Sequence, residues 1–273
     1  IFGVDKQKEI FMKEGYFNGA DSYNTPQKKS LSLWDKFLRG NRLYFTLKYV
    51  TITIRSSMMA KKGIYDDREW AISSKYIFDF IERSGGRFHI SGMNNINKEE
   101  EPVLFVANHM STLETMILPC LVSPLKKVTF VVKESLIKYP LFKDIMLSRD
   151  PIVVGREDPR KDLEAVISKG VELLEKGVSI IIFPQSTRSP VFDPGKFNSM
   201  GIKLAQKAGV KVVPVALKTD FWGSGKLIKE LGPIYPELGI YFKFGEPFLP
   251  EGPGKTQNQK VIDFIQESLR EWS

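Results

Sequence analysis

From residue 86 to the end of the chain, short apolar runs alternate with segments of helical periodicity, and this alternation restricts the possible folds more than any other feature of the sequence. Continuous apolar runs that are separated by helical crossovers are typical of a largely parallel sheet buried on both faces. The candidate strands are Phe88–Ser91, Val103–Ala107, Val128–Val132, Ile152–Val154, Val178–Phe183, Val212–Leu217 and Tyr241–Phe244. The sequence therefore predicts an α/β domain over residues 85–273, with a mostly parallel sheet flanked by helices.

Residues with strong capping preferences indicate where the helices begin and end. Asp158 followed by Pro159 is the pattern of an N-cap and a first helical residue, and Gly177 is a helix stop. Thr256 and Gln259 have the spacing of a capping box, which predicts that the last helix begins there.

Residues 31–84 precede this domain and have a different pattern. Aromatic and aliphatic residues are interleaved with Lys and Arg, Lys61–Gly63 interrupt the pattern, and helical spacing resumes over residues 66–83. Two helices that are basic on one side and apolar on the other could lie in a membrane interface, but a hairpin that covers the core fits the periodicity equally well. Thr51–Ile54 also has the character of a strand. We interpret residues 1–30 as a polar, loosely ordered lead-in.

Four polar side chains follow successive candidate strands. His109 and Lys133 come just after two of the apolar runs, Arg156 lies two residues beyond the third, and Arg188 lies five beyond the fourth. The carboxyl ends of parallel strands meet at one edge of a sheet, which is where open α/β sheets bind ligands. Every strand must end in a polar loop, but four such residues in succession favour a binding site. Since Arg and Lys suit phosphate, the substrate is expected to carry one.

His109 and Glu114 combine the residue types of a general base and its orienting carboxylate. If a helix begins at Ser111 or Thr112, His109 lies in the preceding turn and Glu114 can reach back to it. Ser111-x-x-Glu114 is also a capping-box pattern, which explains these residues without any chemistry. The two interpretations are compatible, because one carboxylate can serve both.

Composition limits the partners. A formal net charge of +8 favours anionic partners: nucleic acid, acidic proteins or a negatively charged membrane surface. No zinc-finger or RNA-binding signature accompanies the charge, so nucleic acid is not the expected partner. With two histidines and the single Cys120, neither an internal disulfide nor a zinc site is expected, and an intracellular location is favoured. No secretory signal is recognised, and no uncharged apolar run is long enough to predict a membrane-spanning helix.

The same stretches carry a family resemblance. Asn108–Glu114 is similar to the block Asn-His-x-Ser-x-x-Asp, with Glu114 in place of Asp, and Phe183–Ser189 is similar to Phe-Pro-Glu-Gly-Thr-Arg-Ser, with Gln185 and Ser186 as the differences. Further similar blocks, in the same order, are Lys133–Pro140, Ile152–Arg156 and Val213–Ala216. Over roughly residues 85–250 the sequence resembles the lysophosphatidic acid acyltransferases (1-acylglycerol-3-phosphate O-acyltransferases), a family of glycerolipid acyltransferases.

The resemblance implies an enzyme of phospholipid biosynthesis. It would transfer a fatty acyl group from acyl-carrier protein or coenzyme A to the hydroxyl of lysophosphatidic acid, giving phosphatidic acid. Separately from the resemblance, no cofactor and no metal ligand set is expected, although the residue counts do not exclude Mg²⁺ bound by carboxylates. His109 would be the general base and Glu114 its orienting group, while Lys133, Arg156 and Arg188 would bind the substrate phosphate. The residues expected to support the motifs are Ser111, Gln185, Ser186 and Thr187.

Membrane attachment follows from the same interpretation. Residues 31–84 would dock the enzyme on the bilayer as a peripheral or monotopic protein at the cytoplasmic face of the cell membrane. Two alternatives remain open: a different lysophospholipid acceptor, or a non-catalytic homologue that binds lipid phosphate. Gln185 and Ser186 motivate both, because they replace a carboxylate and a glycine of the family motif.

Overall fold

The computed structural model describes residues 15–26, 41–185, 187–225 and 229–273, and an eight-stranded sheet lies at its centre. All seven predicted strands are present with ends shifted by at most two residues, and a short additional strand near the N-terminus pairs at one edge. The strands are β1 (Tyr23–Asn24), β2 (Arg87–Ser91), β3 (Leu104–Ala107), β4 (Val128–Lys133), β5 (Ile152–Val154), β6 (Ser179–Ile182), β7 (Val212–Lys218) and β8 (Gly239–Phe244).

The strand order is β1-β2-β8-β7-β3-β6-β4-β5. The five strands from β7 to β5 are mutually parallel, whereas β8 pairs antiparallel with β7, and β2 runs parallel to β8. The prediction of a mostly parallel sheet is confirmed. Since β3, β4, β5 and β6 share one direction, the residues that follow them emerge at one edge of the sheet.

Helices cover both faces of this sheet. In the described part of the chain they are α1 (Arg42–Lys61), α2 (Asp67–Arg83), α3 (Leu113–Val122), α4 (Glu134–Lys138), α5 (Lys143–Leu147), α6 (Pro159–Glu175), α7 (Met200–Ala208) and α8 (Gly254–Glu271), with 3-10 turns at Gly15–Phe17, Met93–Ile96, Pro194–Lys196 and Lys229–Leu231. The side chain of Asp158 accepts hydrogen bonds from two amides of α6, which Gly177 follows with φ 77°, as predicted. The predicted capping box of the last helix is wrong: α8 begins two residues earlier, after Pro253, whose φ of −61° is already suited to a helix.

Two hydrophobic cores lie on opposite sides of the sheet. Phe105 and Ala107 of β3 belong to the core that α1, α2 and α3 cover. Leu104 and Val106, the alternate residues of the same strand, belong to the core under α6, α7 and α8. A strand buried on both faces needs apolar side chains at every position, which explains the continuous apolar runs.

Helices α1 and α2 occupy most of the segment predicted to dock on a membrane; residues 31–40 of that segment lie outside the described residues. Thr51–Ile54 lies within α1, so its reading as a strand is wrong. Phe45 and Tyr49 of α1 pack edge-to-face against Trp222, and this contact outweighs the local β preference of a short Thr/Ile run. No helix of the described residues is long and apolar enough to span a bilayer.

Part of the segment interpreted as a lead-in is attached to the domain. Tyr23 and Asn24 pair with β2, and the Tyr23 hydroxyl donates to Glu82 of α2 at 2.8 Å. Residues 1–14 and 27–30 lie outside the described residues.

The hydrogen-bond ladder of α3 is completed by a side chain from α2. Pro119, inside α3, has no amide hydrogen and displaces the turn around it. The buried Ser74 hydroxyl enters the gap: it donates to the carbonyl of Met116 at 2.6 Å and accepts from the amide of Cys120 at 2.9 Å. Ser74 thereby satisfies two backbone groups that water cannot reach.

We expect Ser74→Ala to lower the free energy of unfolding by about 1–3 kcal/mol, because it leaves both backbone groups buried and unpaired. Urea denaturation followed by circular dichroism measures the change. Ser135→Ala, at an exposed position on α4, is the matched control and should change stability by less than about 0.5 kcal/mol. Equal stability of the two variants would show that Ser74 does not support α3.

Candidate active site

The centre of the candidate site is the carboxylate of Glu114, which is 0% exposed. It accepts hydrogen bonds from His109 Nδ1 at 2.9 Å, from the Met110 amide at 2.6 Å and from the Ser111 amide at 2.8 Å. The hydroxyls of Thr219, at 2.6 Å, and Ser111, at 3.1 Å, donate to its second oxygen. The turn before α3 and the end of β7 therefore converge on one buried charge.

The start of α3 makes this convergence possible. The helix begins at Leu113, so His109 lies in the turn before it and Glu114, in the first turn, reaches back across five positions. The Ser111 amide donates to Glu114 as in a capping box, but the Ser111 hydroxyl accepts from the amide of Leu113 rather than from that of Glu114. One carboxylate thus serves both interpretations, because Glu114 accepts from the Ser111 amide and from Nδ1 of His109.

The charge state of Glu114 follows from two opposing effects. Burial, the largest single effect, raises the pKa of the carboxyl group. The hydrogen bond from His109 and the positive charge that its imidazole carries when protonated, together with hydrogen bonds from Thr219 and the backbone, lower the pKa by more, so that the net shift is downward. An ionised Glu114 can only accept hydrogen bonds. It therefore favours the tautomer of His109 that carries a proton on Nδ1, in which the lone pair of Nε2 is an acceptor.

The family-like stretch after β6 holds His109 in place. The imidazole stacks on Phe183 with ring centroids 4.3 Å apart. The His109 amide donates to Oε1 of the buried Gln185 at 2.7 Å, and the His109 carbonyl accepts from the amide of Ser189 at 3.0 Å. The amide oxygen of Gln185 can accept the first of these bonds, although a carboxylate oxygen would accept it more strongly, so Gln185 preserves the contact. Ser186 lies outside the described residues, and Thr187 is exposed.

Two of the three predicted cations are electrostatic neighbours. Arg188 donates to the Thr112 hydroxyl at 2.7 Å and to Glu230 at 3.2 Å, which places it beside the start of α3. Burial lowers the pKa of Arg156, and the charge of Asp162 raises it. The positive charge of Arg188 also lowers this pKa, so the two guanidinium groups interact electrostatically. Arg156 also has a φ of 66°, which the bonds from the amides of residues 155 and 156 to Asp162 support.

Lys133, the third predicted cation, is the exposed last residue of β4 and is aligned with Val154 of β5. It lies at the same edge of the sheet, but no hydrogen bond or ion pair within the described residues joins it to His109 or Arg188. The structure thus brings His109, Glu114 and Arg188 around the start of α3 and leaves Lys133 on the rim.

Two residues of the site were not among the predicted ones. Thr219 follows β7 directly, and His109 lies two residues beyond β3, so the strand-end rule applies to both. The neutral side chain of Thr219 gives no sequence signal that it donates to a buried carboxylate. Glu230 lies in a turn with no periodicity, and no sequence signal connects it with Arg188.

The chain is similar to known acyltransferases. A family model described as Acyltransferase matches residues 87–218. A 1-acyl-sn-glycerol-3-phosphate acyltransferase of Pseudomonas aeruginosa is 34% identical over 195 residues, which are 70% of this chain and 72% of that protein. A chloroplastic 1-acyl-sn-glycerol-3-phosphate acyltransferase of Arabidopsis thaliana is 31% identical over 159 residues, 58% of this chain and 40% of that protein.

Among solved structures, the crystal structure of the 1-acyl-sn-glycerophosphate acyltransferase of Thermotoga maritima superposes with a TM-score of 0.58 at 23% identity. The similarity covers 87% of this chain and 95% of that one, so it extends over the helices and the sheet alike.

The lowered pKa of Glu114 predicts how the free energy of unfolding changes at acidic pH. Because the pKa of Glu114 is lower in the folded chain than in the unfolded one, its ionised form stabilises the fold above the unfolded pKa, and this contribution is lost as the pH falls through the folded pKa. We expect Glu114→Gln to cost about 2–4 kcal/mol at pH 7. The deficit relative to the wild type should shrink below about pH 4, the region of an unperturbed Glu.

Urea denaturation between pH 3 and pH 7 measures this deficit. Glu164→Gln, which removes an exposed carboxylate of α6, is the control and should show no comparable pH-dependent deficit. A Glu114→Gln deficit that is constant across the range would contradict the assignment of an ionised, stabilising carboxylate.

Proposed function

The chain belongs to the acyltransferase family, among the 1-acyl-sn-glycerol-3-phosphate acyltransferases, and on that premise we propose that it transfers a fatty acyl group from a thioester to the free hydroxyl of lysophosphatidic acid, forming phosphatidic acid for phospholipid synthesis. The observation that carries the proposal is the 2.9 Å contact between His109 Nδ1 and the fully buried Glu114. Arg188 lies nearby, hydrogen-bonded to Thr112 at the start of α3.

The proposed chemistry needs one base. The acceptor hydroxyl hydrogen-bonds to Nε2 of His109, which takes its proton as the oxygen attacks the thioester carbonyl. The carbon–sulfur bond then breaks, and the imidazolium returns the proton to the departing thiolate. Glu114 keeps the ring oriented and stabilises the imidazolium, as the carboxylate does in related triads. No acyl-enzyme is required, because the acceptor hydroxyl is itself the nucleophile.

The cations supply the proposed acceptor site. Arg188 and Arg156, with Lys133 on the rim, bind the phosphate of lysophosphatidic acid through charge-assisted hydrogen bonds. Ser111, Gln185, Ser186 and Thr187 support the motifs that bear these groups. The positive net charge suits either donor, since acyl-carrier protein and coenzyme A are both anionic.

The exposed face of α1 supports the proposal that the enzyme docks on a bilayer. The side chains of Thr53, Ser56 and Ser57 are buried, whereas four apolar side chains at helical spacing face outward. They are Leu43, Leu47, Ile54 and Met58, exposed by 69, 58, 46 and 55%. A helix that buries hydroxyls and exposes an apolar stripe fits an interface better than water. We place the protein, peripheral or monotopic, at the cytoplasmic face of the membrane.

The hydrogen bond of Gln185 bears on the non-catalytic alternative. Its amide oxygen receives the His109 amide at 2.7 Å, so replacing the carboxylate of the family motif does not release the base. This favours turnover over a purely lipid-binding role.

We expect His109→Gln to reduce acyl transfer by at least about 100-fold, because general base catalysis contributes that much or more. Transfer of labelled acyl groups from acyl-coenzyme A and from acyl-carrier protein to lysophosphatidic acid, on anionic vesicles, measures the loss. His89→Gln is the matched control: His89 is on β2, where its Nδ1 contacts Asn24 at 2.7 Å. Near-normal turnover by His109→Gln would remove the mechanism.

Glutamate substitutions in the stripe test docking. Leu47→Glu and Met58→Glu should each weaken vesicle binding by about tenfold to 100-fold, since burial of such side chains contributes about 1.5–3 kcal/mol. Vesicle sedimentation measures the binding, and turnover of a water-soluble short-chain acceptor should persist. Val191→Glu, at a position 72% exposed outside α1, is the control. Vesicle binding unchanged by both stripe substitutions would contradict docking through α1.

A further inference from the structure

Arg188, the cation nearest the start of α3, is not free to receive a phosphate. One nitrogen of its guanidinium group donates to the Thr112 hydroxyl at 2.7 Å, and another donates to a carboxylate oxygen of Glu230 at 3.2 Å. Both side chains of this ion pair are largely buried, with exposures of 23% and 20%. The carboxylate of Glu230 is thus paired with the guanidinium group that the proposed function assigns to the phosphate of the acceptor.

The turn that carries Glu230 is held firmly at its neck. Trp222 forms a bridge with Ile234, the Gly223 amide donates to the carbonyl of Pro233 at 2.9 Å, and the Tyr235 amide donates to that of Phe221 at 2.8 Å. The backbones cross so closely here that a Cβ on Gly232 would lie 1.7 Å from the carbonyl oxygen of residue 223. Only glycine fits, which indicates a built crossing.

Helix α1 holds the same turn from the other side. The guanidinium group of Arg42 donates to the carbonyl of Leu231 at 2.8 Å. Phe45 and Tyr49, on the buried face of α1, pack edge-to-face on Trp222 with ring centroids 4.7 and 4.9 Å away. With both sides of the turn held, the fold sets the backbone position of Glu230, from which its side chain reaches Arg188.

One buried donor lies within the electrostatic field of this ion pair. The Tyr49 hydroxyl is buried, and among the described residues it has no hydrogen-bond partner of ordinary geometry. Burial raises the pKa of Tyr49 and the charge of Glu230 raises it further, whereas the neighbouring Thr53 hydroxyl and the charge of Arg188 lower it. A poorly paired buried donor is unfavourable, so a substrate oxygen beside Arg188 would find a hydrogen-bond donor here.

We propose that Glu230 acts as an internal stand-in for the acceptor phosphate: its side chain pairs with Arg188 while no acceptor is bound and moves away when the phosphate of lysophosphatidic acid or of phosphatidic acid binds there. The inference rests on the proposed function. Glu230 competes with acceptor and product for one guanidinium group, so it weakens the binding of both by the same factor. By reoccupying Arg188 it also favours release of the product.

A purely structural role for Glu230 makes the opposite prediction. Arg188 lies close enough to Arg156 to affect its pKa, so Glu230 could serve only to relieve the repulsion between two cations. Removing the carboxylate would then disorder Arg188 and weaken acceptor binding. The two roles therefore differ in the sign of the change in KM.

Glu230→Gln, which preserves the size of the side chain and removes its charge, is the test. We expect the KM for lysophosphatidic acid and the inhibition constant of phosphatidic acid to fall together by about three- to tenfold. This is the factor by which a partly buried ion pair would favour the state in which Glu230 occupies Arg188. The KM for the acyl donor should stay unchanged. Glu237→Gln is the charge-matched control, because Glu237 is an exposed carboxylate of the same connection and has no hydrogen bond or ion pair with Arg188 among the described residues.

Each outcome decides the matter. A KM for lysophosphatidic acid that is unchanged or raised in Glu230→Gln overturns the proposal, as does a fall confined to the KM of the donor, which would assign Arg188 to the donor instead. An equal fall in Glu237→Gln would reduce the effect to net charge. Failure of the proposed function looks different, because the wild-type enzyme would then form no phosphatidic acid with either donor.

Discussion

The buried carboxylate of Glu114 is the interaction on which the site depends. A charge that is fully withdrawn from water is tolerated only when hydrogen bonds replace its hydration, and here the turn before α3 and the residue after β7 contribute the donors. Because those donors come from separate parts of the chain, the carboxylate ties the helix start to the sheet. The orientation of His109 follows from that arrangement, since one of the five donors is its Nδ1.

The first helix links the exposed surface to this site. One face of α1 presents an apolar stripe outward, and the opposite face contacts Trp222 through Phe45 and Tyr49. Trp222 belongs to the neck of the turn that places Glu230 on Arg188. The proposed membrane surface and the proposed phosphate site are therefore separated by a few packed side chains, and both depend on the same helix.

Much of this architecture could be predicted from sequence, for identifiable reasons. Continuous apolar runs revealed strands buried on both faces, and Asp158, Pro159 and Gly177 marked α6 because capping is a local property. Because the carboxyl ends of parallel strands meet at one edge of the sheet, the sequence predicted that His109 and Arg188 lie near each other. The same rule applied without regard to charge would have included Thr219. Thr51–Ile54 was ambiguous because its local preference for a strand is weaker than the tertiary contacts of α1.

The sequence by itself determined the α/β class, the edge of the sheet at which polar groups gather, and the family to which the motifs belong, since each depends on spacing along the chain. Only the tertiary structure decided that Thr219 donates to Glu114, that Gln185 supports the backbone of His109 and that Glu230 occupies Arg188. Those contacts join residues 42 to 105 positions apart. No local pattern encodes such pairs, because their hydrogen bonds exist only after the sheet has brought distant strand ends together.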